Sequence, residues 1–494
     1  MKRKRQNEPI VRRIWILQAF LIVFLAVIVG RLFYIQVMSH SFYSALANDQ
    51  HDIFRELFPE RGEIYLSDPK APDGRFPAAV NKTLATVYAD TRQLTDGDKE
   101  TIAKALALIL EMEEDALLGK LTALNDPYVP LKSKLDDLTV LQMRDLELSG
   151  IDFSQQPFRF YPEKEATCHL TGFVGSNEQG ERIGRYGIEG HWEKELAGEQ
   201  GFLQSERDPT GQLITAGSHN FRPALDGADI LLTVDRNIQF VACNKLKDAV
   251  KRYNATGGAV VVIEPNSGRL LAICGNPDFD PNNYSQEPNM SAFNNPATYY
   301  AYEPGSVFKP FTMASAIDAE KVSPKTIYHD EGKVEIGIHT INNSDGKAYG
   351  FQTMTQVLEK SLNTGAIFAV RELGADRFRE YIEAFGFGQA PGVALDVESK
   401  GNISSLHKRG DIWSATASYG QGITATPIQV ASAFAVLANS GKLMKPYVVE
   451  EVRYQDGTGQ RIEPQSVRQV VSKRAADLVS GMLVRVVENG HGKR

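Results

Sequence analysis

The sequence predicts an α+β protein on a single N-terminal transmembrane helix: an elongated α+β stalk, then a second α+β domain. Three observations predict this. A long apolar run follows a basic tail. Strand-like pieces and amphipathic helices alternate after it. Near residue 228 the pattern changes to strand, helix and hairpin, followed mainly by helices. The chain has 494 residues, enough for two or three domains. Its net charge of −7 argues against nucleic acid as the main partner.

The elements follow in order. Residues 1–13 form a basic tail with Lys2, Arg3, Lys4, Arg5, Arg12 and Arg13. Residues 14–35 form the anchor: Ile14 to Gly30 is apolar except for Gln18, and Arg31 can snorkel to the interface. The positive charge in front predicts a cytoplasmic N-terminus and an extracytoplasmic remainder. Ala45-Leu46-Ala47 resembles a signal-peptidase site but lies too far from the apolar run, which favours an uncleaved anchor. In the stalk, residues 36–225, Arg61 to Tyr65 and Leu84 to Tyr88 read as strands. Lys99–Glu111 and Leu138–Leu148 read as helices, and the Gly-rich stretch 157–220 as loop.

Residues 226–494 form the second domain. A strand ends at Asp235, which caps a helix over Ile238–Val250. Pro265-Asn266-Ser267-Gly268 joins two strands of a hairpin over 258–274. Helices are expected near Thr355–Leu373, Pro427–Ala438 and Lys473–Val487. Cys168, Cys243 and Cys274 lack metal-ligand spacing, and buried free thiols are the expectation for Cys243 and Cys274. No metal or organic cofactor is suggested.

The chemistry gathers at Glu303-Pro304-Gly305-Ser306-Val307-Phe308-Lys309-Pro310. Ser306 opens a helix and Lys309 follows one turn later on the same face. A desolvated lysine can take the proton of a serine, and a helix N-terminus favours developing negative charge. This is the arrangement of a serine acyltransferase that uses lysine as its base. The spacing alone is weak. Ser67/Lys70, Ser344/Lys347 and Ser405/Lys408 share it, and there a capping serine beside a solvated lysine explains it. Only Ser306 follows Pro-Gly and precedes an apolar helical run, Phe311 to Ile317.

These residues resemble the class B penicillin-binding proteins, the monofunctional peptidoglycan D,D-transpeptidases of bacterial membranes. Arg61-Gly62-Glu63-Ile64, Arg159-Phe160-Tyr161-Pro162, Gly172-Phe173-Val174-Gly175 and Gly187-Ile188-Glu189-Gly190 resemble the motifs of the family's dimerisation-type stalk. Leu232-Thr233-Val234-Asp235 resembles the entry to its β-lactamase-like transpeptidase domain. Gly305-Ser306-Val307-Phe308-Lys309 resembles its nucleophile motif, Ser361-Leu362-Asn363 its Ser-x-Asn motif, and Gly420-Gln421-Gly422 a further typical segment.

The resemblance implies that Ser306 is the nucleophile and Lys309 its base. It implies that Ser361 shuttles the proton to the leaving group, and that Asn363 holds Lys309 and a substrate amide. Gly420, Gln421 and Gly422 would line the substrate cleft. The substrate would be a stem peptide ending in D-Ala-D-Ala, with β-lactams as mimics and a polytopic glycan-polymerising glycosyltransferase as partner. The division-type enzyme is favoured over the elongation type. The family's third motif, Lys-Thr-Gly or Lys-Ser-Gly, occurs nowhere in the 494 residues. The expectation is therefore a sequence that stops before that strand, leaving a domain without its C-terminal strands, inactive and poorly stable as it stands. Alternatives are a catalytically inactive cell-wall scaffold, a β-lactam sensor or a membrane-tethered β-lactamase. Arg61 and the segment 172–190 are expected to be structural.

Overall fold

The computed structural model describes residues 52–490 except 123–125, 127, 179–180 and 207–218, together with scattered positions from 20 to 33. Most of the expected anchor lies outside the described residues. Its described positions are helical, with Phe20, Leu21, Phe24 and Phe33 exposed. Among the described residues no helix is long and apolar enough to cross a membrane.

The chain divides into two compact units. The smaller holds a three-stranded antiparallel sheet of Asp52–Leu57, Gly201–Glu206 and His219–Arg222, closed by a bridge between Glu199 and Leu225.

The larger unit, Glu60–Gly198 with Asp226–Arg494, is built around a seven-stranded sheet. Strand Ile64–Ser67 pairs antiparallel with the long strand Arg75–Ala89 on one side. On the other it pairs in parallel with Asp229–Asp235, which continues to Val449–Arg453. Strands from either side of residue 226 thus share one sheet. Its core, with Ile64, Leu66, Ile230, Leu232, Val234 and Val449 buried, joins segments distant in sequence. Helices Asp96–Leu110 and Glu114–Leu121 cover the far end through Ile102, Leu106, Leu110, Leu117 and Leu121.

The Gly-rich stretch 157–220 is not the expected loop. Among its described residues it holds the end of strand Ile151–Phe160, a hairpin of Phe173–Ser176 with Arg182–Arg185, and the short helices Cys168–Thr171, Gly187–His191 and Glu193–Ala197. Its glycines serve close packing: a Cβ on Gly184 would lie 1.9 Å from the Glu189 carbonyl oxygen. Glu189, fully buried, binds Arg61 at 2.6 Å and Arg159 at 2.7 Å. Burial pushes its carboxyl up, but the charges of Arg159 and Arg61 outweigh burial and hold it below its usual value. Arg61 also reaches Glu193 at 2.5 Å.

Asp235 caps helix Arg236–Tyr253 by accepting from the backbone of Asn237 and Ile238. The hairpin pairs Gly258–Ile263 with Leu270–Asn276. It forms a two-stranded sheet, and every residue of Gly258–Ile263 is half-exposed. The expectation of free thiols is corrected here: Cys243 and Cys274 form a disulfide that ties the helix to the hairpin. The helix lies across the second hairpin strand and brings together two cysteines 31 residues apart, a pairing their spacing did not reveal. Cys168 is the buried free thiol.

A second core surrounds the Ser306–Lys309 and Ser361–Asn363 motifs. Helix Lys309–Asp318 is buried along nearly its whole length. Phe308, Phe311, Phe385 and Phe387 pack beside it, and helices Pro427–Ala438 and Lys473–Asn489 contribute Val436, Val479 and Met482. The single helix expected over Thr355–Leu373 is two, Met354–Glu359 and Asn363–Leu373. The break falls at Ser361, whose φ of +55° is left-handed and ends the first helix.

Candidate active site

The nucleophile turn is a short 3₁₀ helix, Gly305–Phe308, that runs into helix Lys309–Asp318. Gly305 has a φ of +64°, which only glycine adopts without cost. Pro310 sits in the first turn, where its missing N–H leaves nothing unpaired. Ser306 is therefore exposed at the mouth of the helix while Lys309, one turn on, is only 2% exposed.

Lys309 is the centre of the site. Its Nζ lies 3.2 Å from Ser306 Oγ, 3.0 Å from Ser361 Oγ and 2.6 Å from the Ser361 carbonyl oxygen. Burial pushes its amine down to about 7. A neutral amine has two N–H donors and one lone pair. With the donors given to Ser361, the lone pair is left to accept the Ser306 proton. The strained backbone of Ser361 turns both its carbonyl and its hydroxyl to one amine.

Asn363 opens the second-motif helix. Its side-chain Nδ2 donates to the Asn342 carbonyl at 2.9 Å. Behind it lies a buried network absent from the sequence reading. The Asp330 carboxylate accepts from Thr364 Oγ1 at 2.7 Å, from Asn343 Nδ2 at 3.0 and 3.1 Å, and from the backbone of Gly332 and Tyr349. Asn343 Oδ1 in turn accepts from the Thr364 backbone at 3.3 Å. In sequence, Asp330 two residues before Gly332 reads as an ordinary turn. Only the fold brings Thr364 to it.

Gly420, Gln421 and Gly422 leave the end of helix Asp411–Ala417 and pass beside the nucleophile turn. Gly305 N donates to the Gly420 carbonyl at 2.9 Å. A Cβ on Gly420 would come within 2.3 Å of the Gly305 carbonyl oxygen, so glycine is required there. Ser306, Lys309 and Ser361 are thus joined by hydrogen bonds, Asn363 begins the adjoining helix, and the Gly420–Gly422 segment borders the turn.

An exposed serine hydrogen-bonded to a buried lysine amine, set in a helical core, is an arrangement suited to an acyl-transferring serine enzyme. Residues 258–494 match the penicillin binding protein transpeptidase domain, and residues 56–232 match the penicillin-binding protein dimerisation domain. The chain is 30% identical over 493 residues to stage V sporulation protein D of Bacillus subtilis, covering 99% of this chain and 74% of that protein. It is 27% identical over 479 residues to the peptidoglycan D,D-transpeptidase FtsI of Escherichia coli, covering 95% and 78%. Penicillin Binding Protein 2X from Streptococcus thermophilus has a similar fold. Its TM-score is 0.68 at 21% identity, over 89% of this chain and 67% of that one. The chain belongs to the class B penicillin-binding proteins, within the D,D-transpeptidase family.

Proposed function

We propose that this protein is a membrane-anchored peptidoglycan D,D-transpeptidase that works through an acyl-enzyme on Ser306. The observation that carries the proposal is the buried Lys309 amine, pushed down to about 7 by its burial and held between Ser306 and Ser361. Lys309 takes the hydroxyl proton as Ser306 Oγ attacks the carbonyl of the penultimate D-alanine. The bond to the terminal D-alanine breaks, and Ser361 passes a proton to the leaving amine while taking one back from Lys309, which is neutral again. An amine from a neighbouring strand then attacks the ester. Its proton passes to Lys309, Ser306 leaves with a proton, and a new amide cross-links two stem peptides. A β-lactam acylates Ser306 in the same way, but its leaving nitrogen stays attached and blocks the second attack.

The anchor at 14–35, a cytoplasmic N-terminus and a glycosyltransferase partner belong to the same reading, as does a role in division. The 494 residues contain no Lys-Thr-Gly or Lys-Ser-Gly triplet, the motif that in the resemblance grips the substrate carboxylate and completes the oxyanion hole. Acylation by these residues alone is expected to be slow, and faster in a longer chain made by adding a strand that carries such a triplet.

The test is intact-mass and peptide mapping after incubation with a fluorescent penicillin. Both lengths of chain are compared, each with a Ser306→Ala control. An adduct on Ser306 that the alanine variant loses supports the reading. No adduct at either length, with both folded, favours a cell-wall scaffold.

A further inference from the structure

The segment Gly420–Gly422 borders the nucleophile yet belongs to no helix or strand. Its position depends on individual hydrogen bonds. Gly420 N donates to the Ala417 carbonyl at 2.9 Å, and Gln421 N to the Thr416 carbonyl at 3.1 Å. Further along, Tyr302 and Ala425 exchange backbone bonds of 3.0 and 2.9 Å. Between these points Thr424 N donates to the Asn402 carbonyl at 2.8 Å, and the amide of Gly422 faces the nucleophile turn. It donates to Glu303 Oε1 at 2.8 Å.

Glu303 stands three residues before Ser306 and is exposed. An ordinary surface glutamate would give its oxygens to water. This one reaches across 119 positions of sequence to a glycine with a φ of +73°. Gly422 has no side chain through which the loop could be packed in place. A second sign of the carboxylate's position is Tyr419, whose hydroxyl is raised first by burial and then by the charge of Glu303.

We propose that Glu303 is a positioning residue for acylation. By accepting the Gly422 N–H, its carboxylate fixes the Gly420–Gly422 wall of the cleft against the turn that carries Ser306. The functional part of this inference rests on the transpeptidase reading of that site. A hydrogen bond to an ionised acceptor is stronger than one between neutral groups, and its loss would let the wall move relative to the nucleophile.

The test compares Glu303→Ala, Glu303→Asp and Glu303→Gln with the wild type, in the 494-residue chain and in the longer chain. Two quantities are read: hydrogen exchange at the Gly422 amide, and the rate constant for acylation of Ser306 by a fluorescent penicillin. Glu303→Ala is expected to speed exchange at Gly422 and slow acylation, each by roughly tenfold or more, with the melting temperature unchanged. Glu303→Asp keeps the charge but withdraws the oxygen by one methylene, and should behave like alanine. Glu303→Gln keeps an oxygen in place and should restore most of both quantities. Unchanged exchange in Glu303→Ala overturns the tether. Faster exchange with an unchanged acylation rate overturns its role in positioning. Failure of wild-type Ser306 to take penicillin at either length refutes the transpeptidase reading and with it the role in acylation, while the exchange result still decides whether the tether exists.

Discussion

Lys309 is a residue that burial has turned from a cation into a base. An exposed lysine holds its proton to about pH 10.4, whereas this amine releases it near 7. Acylation needs the neutral form, so its rate should rise with pH through about 7 and then level off, as read from penicillin acylation across a pH series. Lys309→Arg, which stays charged, should lower that rate at least about a hundredfold. Stability follows the same shift. The folded amine loses its proton at lower pH than the unfolded one, so between about 7 and 10.4 the unfolded chain binds more protons. Stability attributable to Lys309 should therefore increase with pH across that window, and its burial costs most below 7. Urea unfolding of wild type against Lys309→Met at several pH values would show the difference shrinking as pH rises.

At the scale of elements, the two hairpins Ile327–Asp330 with Gly350–Thr353 and Lys333–Ile336 with His339–Asn342 are small and partly exposed. Neither has a sheet to join, and the Asp330 carboxylate ties them to the second-motif helix. Thr364→Val keeps the shape and removes the hydroxyl that donates to Asp330. It should cost about 1–3 kcal/mol in denaturant unfolding, while Thr364→Ser should cost less because the donor remains. The Cys243–Cys274 bond does comparable work for the first hairpin. Closing a loop of 31 residues is worth about 3–4 kcal/mol by chain entropy alone. Replacing both cysteines by serine should lower the melting temperature, and adding reductant to the wild type should lower it similarly.

For the molecule as a whole, the seven-stranded sheet is the structural link: Ile64 and Leu66 lie in one core with Ile230 and Val449. The buried Glu189 with Arg61 and Arg159 sits against this core. Breaking a buried ion pair by removing one partner leaves an unpaired charge, so Glu189→Ala should cost about 3–5 kcal/mol in a thermal or urea melt. The expected structural role of Arg61 accords with this network. The edge strand Gly459–Arg461 is exposed at every residue, and Gly258–Ile263 is half-exposed along its length.

What the sequence determined by itself is what depends on near neighbours. The Ser306 turn, the capping of helix Arg236–Tyr253 by Asp235, the hairpin turn at 265–268 and helix Pro427–Ala438 all rest on contacts within a few residues, and each was legible from side-chain type and spacing. The order of motifs was legible in the same way. Only the tertiary structure decided which distant groups meet. It put Ser361 on Lys309, Thr364 on Asp330, Cys243 on Cys274, Glu303 on Gly422 and Glu189 between two arginines. It also broke the helix at Ser361 and built strands from a glycine-rich stretch that read as loop. The physical reason is that burial and charge pairing depend on distance in space. Local propensity says which element a residue prefers, but the depressed basicity of Lys309 and the ionised state of buried Glu189 arise only when the packed core removes water and brings their partners within about 3 Å.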